Sequence, residues 1–122
     1  MDATLRKIIA ELNAAAAQHD AGQEDRLDRW RVLEPDAGEF LWFLAQSAGA
    51  RIIVEIGTSR GVSTLWLADA ARAVGGHVLS LDTDAEAQAH ARRRVACSWQ
   101  TTPCPTPRRS PRCTTFSSGS RA

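Results

Sequence analysis

The run RIIVEIG, Arg51 to Gly57, constrains this chain more than any other segment. Residues Ile52 to Ile56 are nearly all β-branched and close on a glycine, the pattern of a short parallel strand buried on both faces. The period then changes: Val62, Leu65, Trp66, Ala70, Ala73 and Val74 recur at helical spacing, which predicts a helix beginning at Ser59 or Arg60 and ended by Gly75 and Gly76. A second strand, HVLSL from His77 to Leu81, stops at Asp82. Asp84 is placed to N-cap a further helix with Ala85 to Val95 as its body, and Glu86 falls in the first turn, where the helix dipole favours an acid. Strand, helix, strand, helix is the grammar of a doubly wound α/β sheet.

Two helices lead into this unit. Leu5, Ile8, Ile9 and Leu12 stack on one face of a helix ending near Gly22, and a polar connection with room for one helical turn follows as far as Pro35. From Asp36, a candidate cap, to about Ala48, the residues Phe40, Leu41, Phe43 and Leu44 form a wide apolar face, and Gly49 occupies the position where a left-handed residue ends a helix. Aromatic residues at helical spacing usually enter a core, so Phe40, Trp42 and Phe43 are expected there rather than in a substrate pocket.

The net charge of +1 conceals a division along the chain. Residues 1–90 hold 8 basic and 14 acidic side chains, whereas residues 91–122 hold seven arginines and no acid. Residues 97–122 also lack Val, Ile, Leu and Met, and 21 of the 26 are Ser, Thr, Pro, Cys or Arg. Such a segment buries too little apolar surface to offset its ordering entropy and is expected to be disordered. The chain thus divides into a helical segment (1–33), a partial sheet domain (34–96) and a basic tail (97–122). Cys97, Cys104 and Cys113 form no CxxC pair and have no partnered histidine, so neither a zinc site nor a disulfide framework is indicated. His19, His77 and His90 show no ligand spacing to one another. No apolar run approaches the ~18 residues of a membrane span, and the acidic, amphipathic N-terminus does not read as a secretory signal, so a cytoplasmic location is expected.

The chemistry concentrates at the first strand-to-helix junction. Glu55, Gly57, Ser59 and Gly61 give the spacing E-x-G-x-S-x-G, in which glycine permits both a sharp turn and a close approach of a ligand to the backbone. The N–H groups opening the next helix, with the Ser63 and Thr64 hydroxyls nearby, suit a negatively charged group. Asp82 stands 21 residues beyond Gly61, where a Rossmann half places the acid that accepts from ribose hydroxyls. A nicotinamide dinucleotide site is the nearest rival, but it calls for G-x-G-x-x-G, and this turn reads G-T-S-R-G-V.

Three segments, EPDAGEFLWFLAQSAGA, RIIVEIGTSRGVSTLWLADA and GGHVLSLDTDAEA, resemble the class I S-adenosylmethionine-dependent O-methyltransferases, similar to catechol and caffeoyl-coenzyme A O-methyltransferases. The resemblance covers Glu34 to Ala96 and implies the first half of a Rossmann-like methyltransferase fold, truncated after the second parallel strand and its helix. It implies that Glu55 opens the glycine motif, that Gly57 and Gly61 approach the cofactor, and that Thr58 and Ser59 line the turn. Ser63 would bind the methionine carboxylate of S-adenosylmethionine, Asp82 its ribose, and Thr83 would lie against adenine. The implied partner is a small-molecule methyl acceptor.

The family's later D-x-x-F-x-D-type metal ligand and catalytic lysine have no counterpart after Ala96, and the one lysine, Lys7, lies in the first helix. No catalytic base or metal ligand is therefore nominated. A reading-frame shift near Arg92 to Ala96 in a GC-rich gene is the expected origin of the tail, in keeping with 14 arginines to one lysine. Two other functions stay open: a cofactor-binding form without turnover, and a nucleic-acid-interacting protein whose arginine-rich tail, with only Trp99 and Phe116 for stacking, would bind weakly.

Overall fold

The computed structural model describes residues 1, 3–98 and 113–117. Its elements are helices α1 (Ala3–Ala21) and α2 (Pro35–Ser47), strand β1 (Ile52–Ile56), helix α3 (Val62–Ala73), strand β2 (His77–Leu81), helix α4 (Ala85–Ser98) and strand β3 (Cys113–Ser117). A single turn of 3₁₀ helix, Arg26–Asp28, sits in the connector between α1 and α2. β1 and β2 pair in parallel with Ile52 opposite His77 and Ile56 opposite Leu81, as the strand-helix-strand pattern predicts. The architecture is the α/β, Rossmann-like one expected, with two leading helices.

α3 is the centre of the packing. Nine of its residues, from Val62 to Ala71, are buried, and Leu65, Trp66 and Ala68 meet Leu5, Ile9 and Leu12 of α1, Val78 of β2 and Val95 of α4 in one core. Asp69 is buried in the same helix, where its carboxylate accepts from the Trp42 indole N–H at 2.8 Å and from Arg72 at 2.7 Å. A buried carboxylate persists only when paired in this way.

α2 begins two residues earlier than its acidic cap candidate implies. Pro35, with φ already suited to a first helical turn, opens it, and Asp36 lies within that turn instead of capping it. Gly49 ends the helix region at φ +60, as expected. The stripe of α2 that faces the protein is Gly38, Leu41, Trp42 and Ala45, and a Cβ at Gly38 would lie 2.2 Å from the Trp66 indole nitrogen. Phe40 and Phe43 fall off that stripe and are exposed, which corrects their expected place in the core.

Two further expectations change. β1 is not buried on both faces: Ile53 and Glu55 turn inward, while Ile52, Val54 and Ile56 are 67%, 60% and 86% exposed, because no described helix covers the outer face. The tail is not without structure at Cys113–Ser117, which pairs antiparallel with β2 from His77–Ser117 to Leu81–Cys113. The free edge of β2 offers unpaired N–H and C=O groups, and the run CTTFS is built of residue types that favour extended backbone. Cys97 and Ser98 end α4, and the expectation of disorder for 99–112 and 118–122 lies outside the described residues.

Candidate cofactor site

Glu55, the penultimate residue of β1, turns its carboxylate into the protein, where it accepts from Ser63 Oγ at 2.6 Å and from the Thr64 and Ser80 hydroxyls. Ser80 also meets Thr58 Oγ1 at 2.6 Å. The hydroxyls at the start of α3 thus do hold a negative group, and that group is the chain's own Glu55. This closed network of Glu55, Thr58, Ser63, Thr64 and Ser80 fixes the turn from beneath. Ser80 went unnamed as a site-supporting residue, and the available signal was an acid on one strand facing a serine at the matching register of the next, since Glu55 pairs with Ser80.

The turn itself spans Gly57–Gly61. The Gly57 N–H donates to the Leu81 carbonyl at 2.7 Å, the Gly61 N–H donates to the Thr58 carbonyl at 2.9 Å, and α3 starts only at Val62, two to three residues later than its periodicity predicts. The delay arises at Ser59 and Gly61, both left-handed at φ +46 and +81 and so unable to continue a helix. The two glycines serve different ends. A Cβ at Gly57 (φ +95) would meet open space, whereas one at Gly61 would lie 2.6 Å from the Ala91 Cβ of α4. Gly57 leaves the space beside it open; Gly61 lets the turn pack on α4.

Asp82, the residue after β2, draws the two strand ends together. Its carboxylate accepts from the Ser59 N–H at 2.8 Å and the Asp84 N–H at 2.9 Å. Burial opposes ionisation of this group, but the N–H groups of Asp84, Ser59, Thr58 and Thr83 outweigh it and hold the carboxyl below its ordinary range. Asp84 caps α4 as expected, accepting from the Glu86 and Ala87 N–H groups at 2.8 and 3.1 Å. Thr83, between the two acids, is exposed.

A cleft of about 390 Å³ lies over the turn, with Gly57, Thr58, Ser59, Arg60, Val62 and Ser63 on one wall and Arg31, Val32, Leu33, Glu34 and Ala37 on the other. The second wall belongs to the connector, for which the sequence offered no site assignment. Of the eight site residues, five (Gly57, Thr58, Ser59, Ser63 and, through Ser59, Asp82) meet at or beside this cleft. Glu55 lies beneath it and Gly61 faces α4. His90 of α4 is depressed below its ordinary value by burial and then by Arg94, Arg60 and Arg93, and its Nδ1 is buried without a hydrogen-bond partner among the described residues. Among the described residues no cluster of three or more His, Cys, Asp or Glu side chains could hold a metal ion, and no helix is long and apolar enough to cross a membrane.

A glycine turn after the first strand thus stands beside a cleft and is tied, through the Ser59 N–H, to an acid that follows the second strand of a Rossmann-like sheet. The methyltransferase-domain family matches residues 54–117, just over half of the chain and extending into the basic tail. A catechol O-methyltransferase of Mycobacterium tuberculosis is 38% identical over 84 residues, 67% of this chain and 35% of that protein. A catechol O-methyltransferase of Niastella koreensis is 36% identical over 63 residues, 52% of this chain and 28% of that protein. The chain belongs to the class I O-methyltransferase family. Membership implies S-adenosylmethionine as the methyl donor. The chain spans about a third of the length of the curated relatives it matches.

Proposed function

We propose that this chain binds S-adenosylmethionine in the cleft between the glycine turn and the connector, as the cofactor half of an O-methyltransferase acting on a small molecule. The observation that carries the reading is the pairing of Gly57, left-handed and open to the cleft, with Asp82, tied to the same turn through the Ser59 N–H at 2.8 Å. The residues suit the group. The N–H donors in the first turn of α3, which have no partner within the helix, would receive the methionine carboxylate. Ser63 contributes its N–H to that set, because its hydroxyl proton is committed to Glu55. Asp82 keeps lone pairs for ribose hydroxyls beyond the two it gives to the backbone, and exposed Thr83 stands beside it for adenine.

When bound, S-adenosylmethionine supplies a methyl group on a sulfonium centre. The chain's own contribution is to fix the amino-acid and ribose ends by preset donors and acceptors, so that position and electrostatics favour transfer. A small hydroxylated aromatic such as catechol is the acceptor to test first, on the strength of the relatives' names. A second reading, cofactor binding without turnover, is favoured by one observation: the only lysine, Lys7, sits exposed on α1 away from the cleft.

Calorimetric titration of the full chain with S-adenosylmethionine, alongside labelled methyl transfer to catechol, tests both. Saturable binding abolished by Gly57→Val supports the site, and no binding at millimolar cofactor refutes it. Binding without transfer selects the second reading; transfer selects the first.

A further inference from the structure

The connector wall of the cleft is held by an arrangement that neither the fold nor the cofactor motif requires. The Trp30 indole stacks on the His19 imidazole, centroids 4.2 Å apart and planes 16° from parallel, while the Arg60 guanidinium lies 4.0 Å from the centroid of the same ring. The Trp30 N–H donates to Asp20 Oδ1 at 2.7 Å, the Arg31 N–H to Asp20 Oδ2 at 3.2 Å, and Ser59 Oγ donates to the Trp30 carbonyl at 3.1 Å. One residue thus joins the end of α1 to the glycine turn through its ring and through both ends of its backbone.

We propose that Trp30 is a positioning residue for the cofactor: clasped by His19, Arg60, Asp20 and Ser59, it holds the Arg31–Glu34 wall against the glycine turn and thereby sets the affinity of the cleft. This rests on the reading that the cleft takes S-adenosylmethionine. The backbone supplies the physical case. Arg31 and Ser59 are the only non-glycine residues of positive φ among those described, at +48 and +46, and they stand on opposite walls of the same cleft. Each is bound to Trp30, Arg31 as its neighbour in sequence and Ser59 through its hydroxyl. Non-glycine residues keep such conformations only where their surroundings over-determine them; at Arg31 the surroundings are the Trp30 clasp, and at Ser59 the clasp acts together with Asp82, which accepts from the Ser59 N–H. Asp20 contributes from an ionised state favoured by its hydrogen bond from His19 and by the two N–H groups it receives. Without the clasp the connector wall is free to relax and Ser59 keeps only its tie to Asp82, so the cofactor must order the connector on binding; preorganisation of this kind appears as affinity.

The test measures dissociation constants for S-adenosylmethionine and S-adenosylhomocysteine by calorimetry on the full chain and on three variants. Trp30→Ala and Asp20→Asn should each weaken both ligands about tenfold, a size in keeping with losing a cation–π contact or charge-assisted hydrogen bonds. Trp30→Phe, which restores a ring between His19 and Arg60, should return affinity to within about threefold of wild type. Unchanged affinity in Trp30→Ala, or Trp30→Phe as weak as Trp30→Ala, overturns the proposal. Trypsin cleavage after Arg29 and Arg31 in the ligand-free protein gives a reading that does not depend on the cofactor. Faster cleavage there in Trp30→Ala and Asp20→Asn supports the clasp, and equal rates refute it. If the wild-type chain binds neither ligand, the cofactor reading fails while the clasp is judged by proteolysis.

Discussion

The two faces of β1 present opposite situations within five residues. On the inner face, Ile53 packs against the α3 core and Glu55 has its carboxylate caged by hydroxyls. On the outer face, Ile52, Val54 and Ile56 are as apolar as any core residue and are exposed. Hydropathy is therefore no guide to burial here. It marks what the fold is built to cover, whereas burial marks what these elements cover, and the two agree only on the side where α1, α3 and α4 pack. The site belongs to the covered side: the network beneath the glycine turn extends inward from Glu55.

The largest effect that would break this contrast lies at its inner centre. Leu65, fully buried between α1 and the sheet, should cost about 2–5 kcal/mol when replaced by alanine, measured by urea unfolding. A loss below about 1 kcal/mol would mean that α3 is not the packing centre. Next come the glycines. Gly61→Ala combines a left-handed conformation with a Cβ placed 2.6 Å from Ala91, so a loss of about 2 kcal/mol or more is expected. Gly57→Ala bears the conformational cost alone, about 1 kcal/mol, yet should weaken cofactor binding more than its stability effect explains, because Gly57 lines the cleft. Equal stability losses would remove the distinction between a packing glycine and a ligand glycine.

A smaller, pH-dependent effect is expected from His90. Its folded value is depressed by burial and by Arg94, Arg60 and Arg93, so the unfolded chain takes up the proton first. Its contribution is fully present above the ordinary value of 6.5 and is lost as pH falls through that value toward the depressed one. Chemical unfolding between pH 7.5 and 5 should show stability declining with acid, and His90→Gln should flatten that slope. An unchanged slope would show that other groups carry it.

Much of this was legible in the sequence, for local reasons. The bounds of β1 and β2, the left-handed Gly49 and the Asp84 cap each depend on a few neighbouring residues, and each stands as read. What was not legible depends on distant partners. α3 starts late because Ser59 is held left-handed by Asp82 and Trp30, which lie 23 and 29 residues away. Phe40 and Phe43 are outside because the Trp66 indole selects Gly38 as the contact point on α2. β3 forms where composition argued for none, because an open strand edge supplies partners that a count of aliphatic residues ignores. In the site, the glycines and Asp82 were readable from spacing, but the division of labour between Gly57 and Gly61 needed the position of Ala91. The connector wall carries no motif at all, and Trp30 gains its role only from side chains in α1 and in the turn.

The smallest expected effect is the sharpest test of the two-faced strand. Replacing Val54 and Ile56 together by threonine keeps β-branching, and hence the strand's conformational preference, while removing apolar surface from the outer face. If the outer face is solvated, stability should stay within about 0.5 kcal/mol of wild type, and self-association read by sedimentation should fall as the apolar patch shrinks. The same change at Ile53 on the inner face should cost well over 1 kcal/mol, since it places a hydroxyl against the α3 core. Loss of more than about 2 kcal/mol from the outer pair would show instead that these side chains are covered in the folded protein, which would erase the difference between the faces.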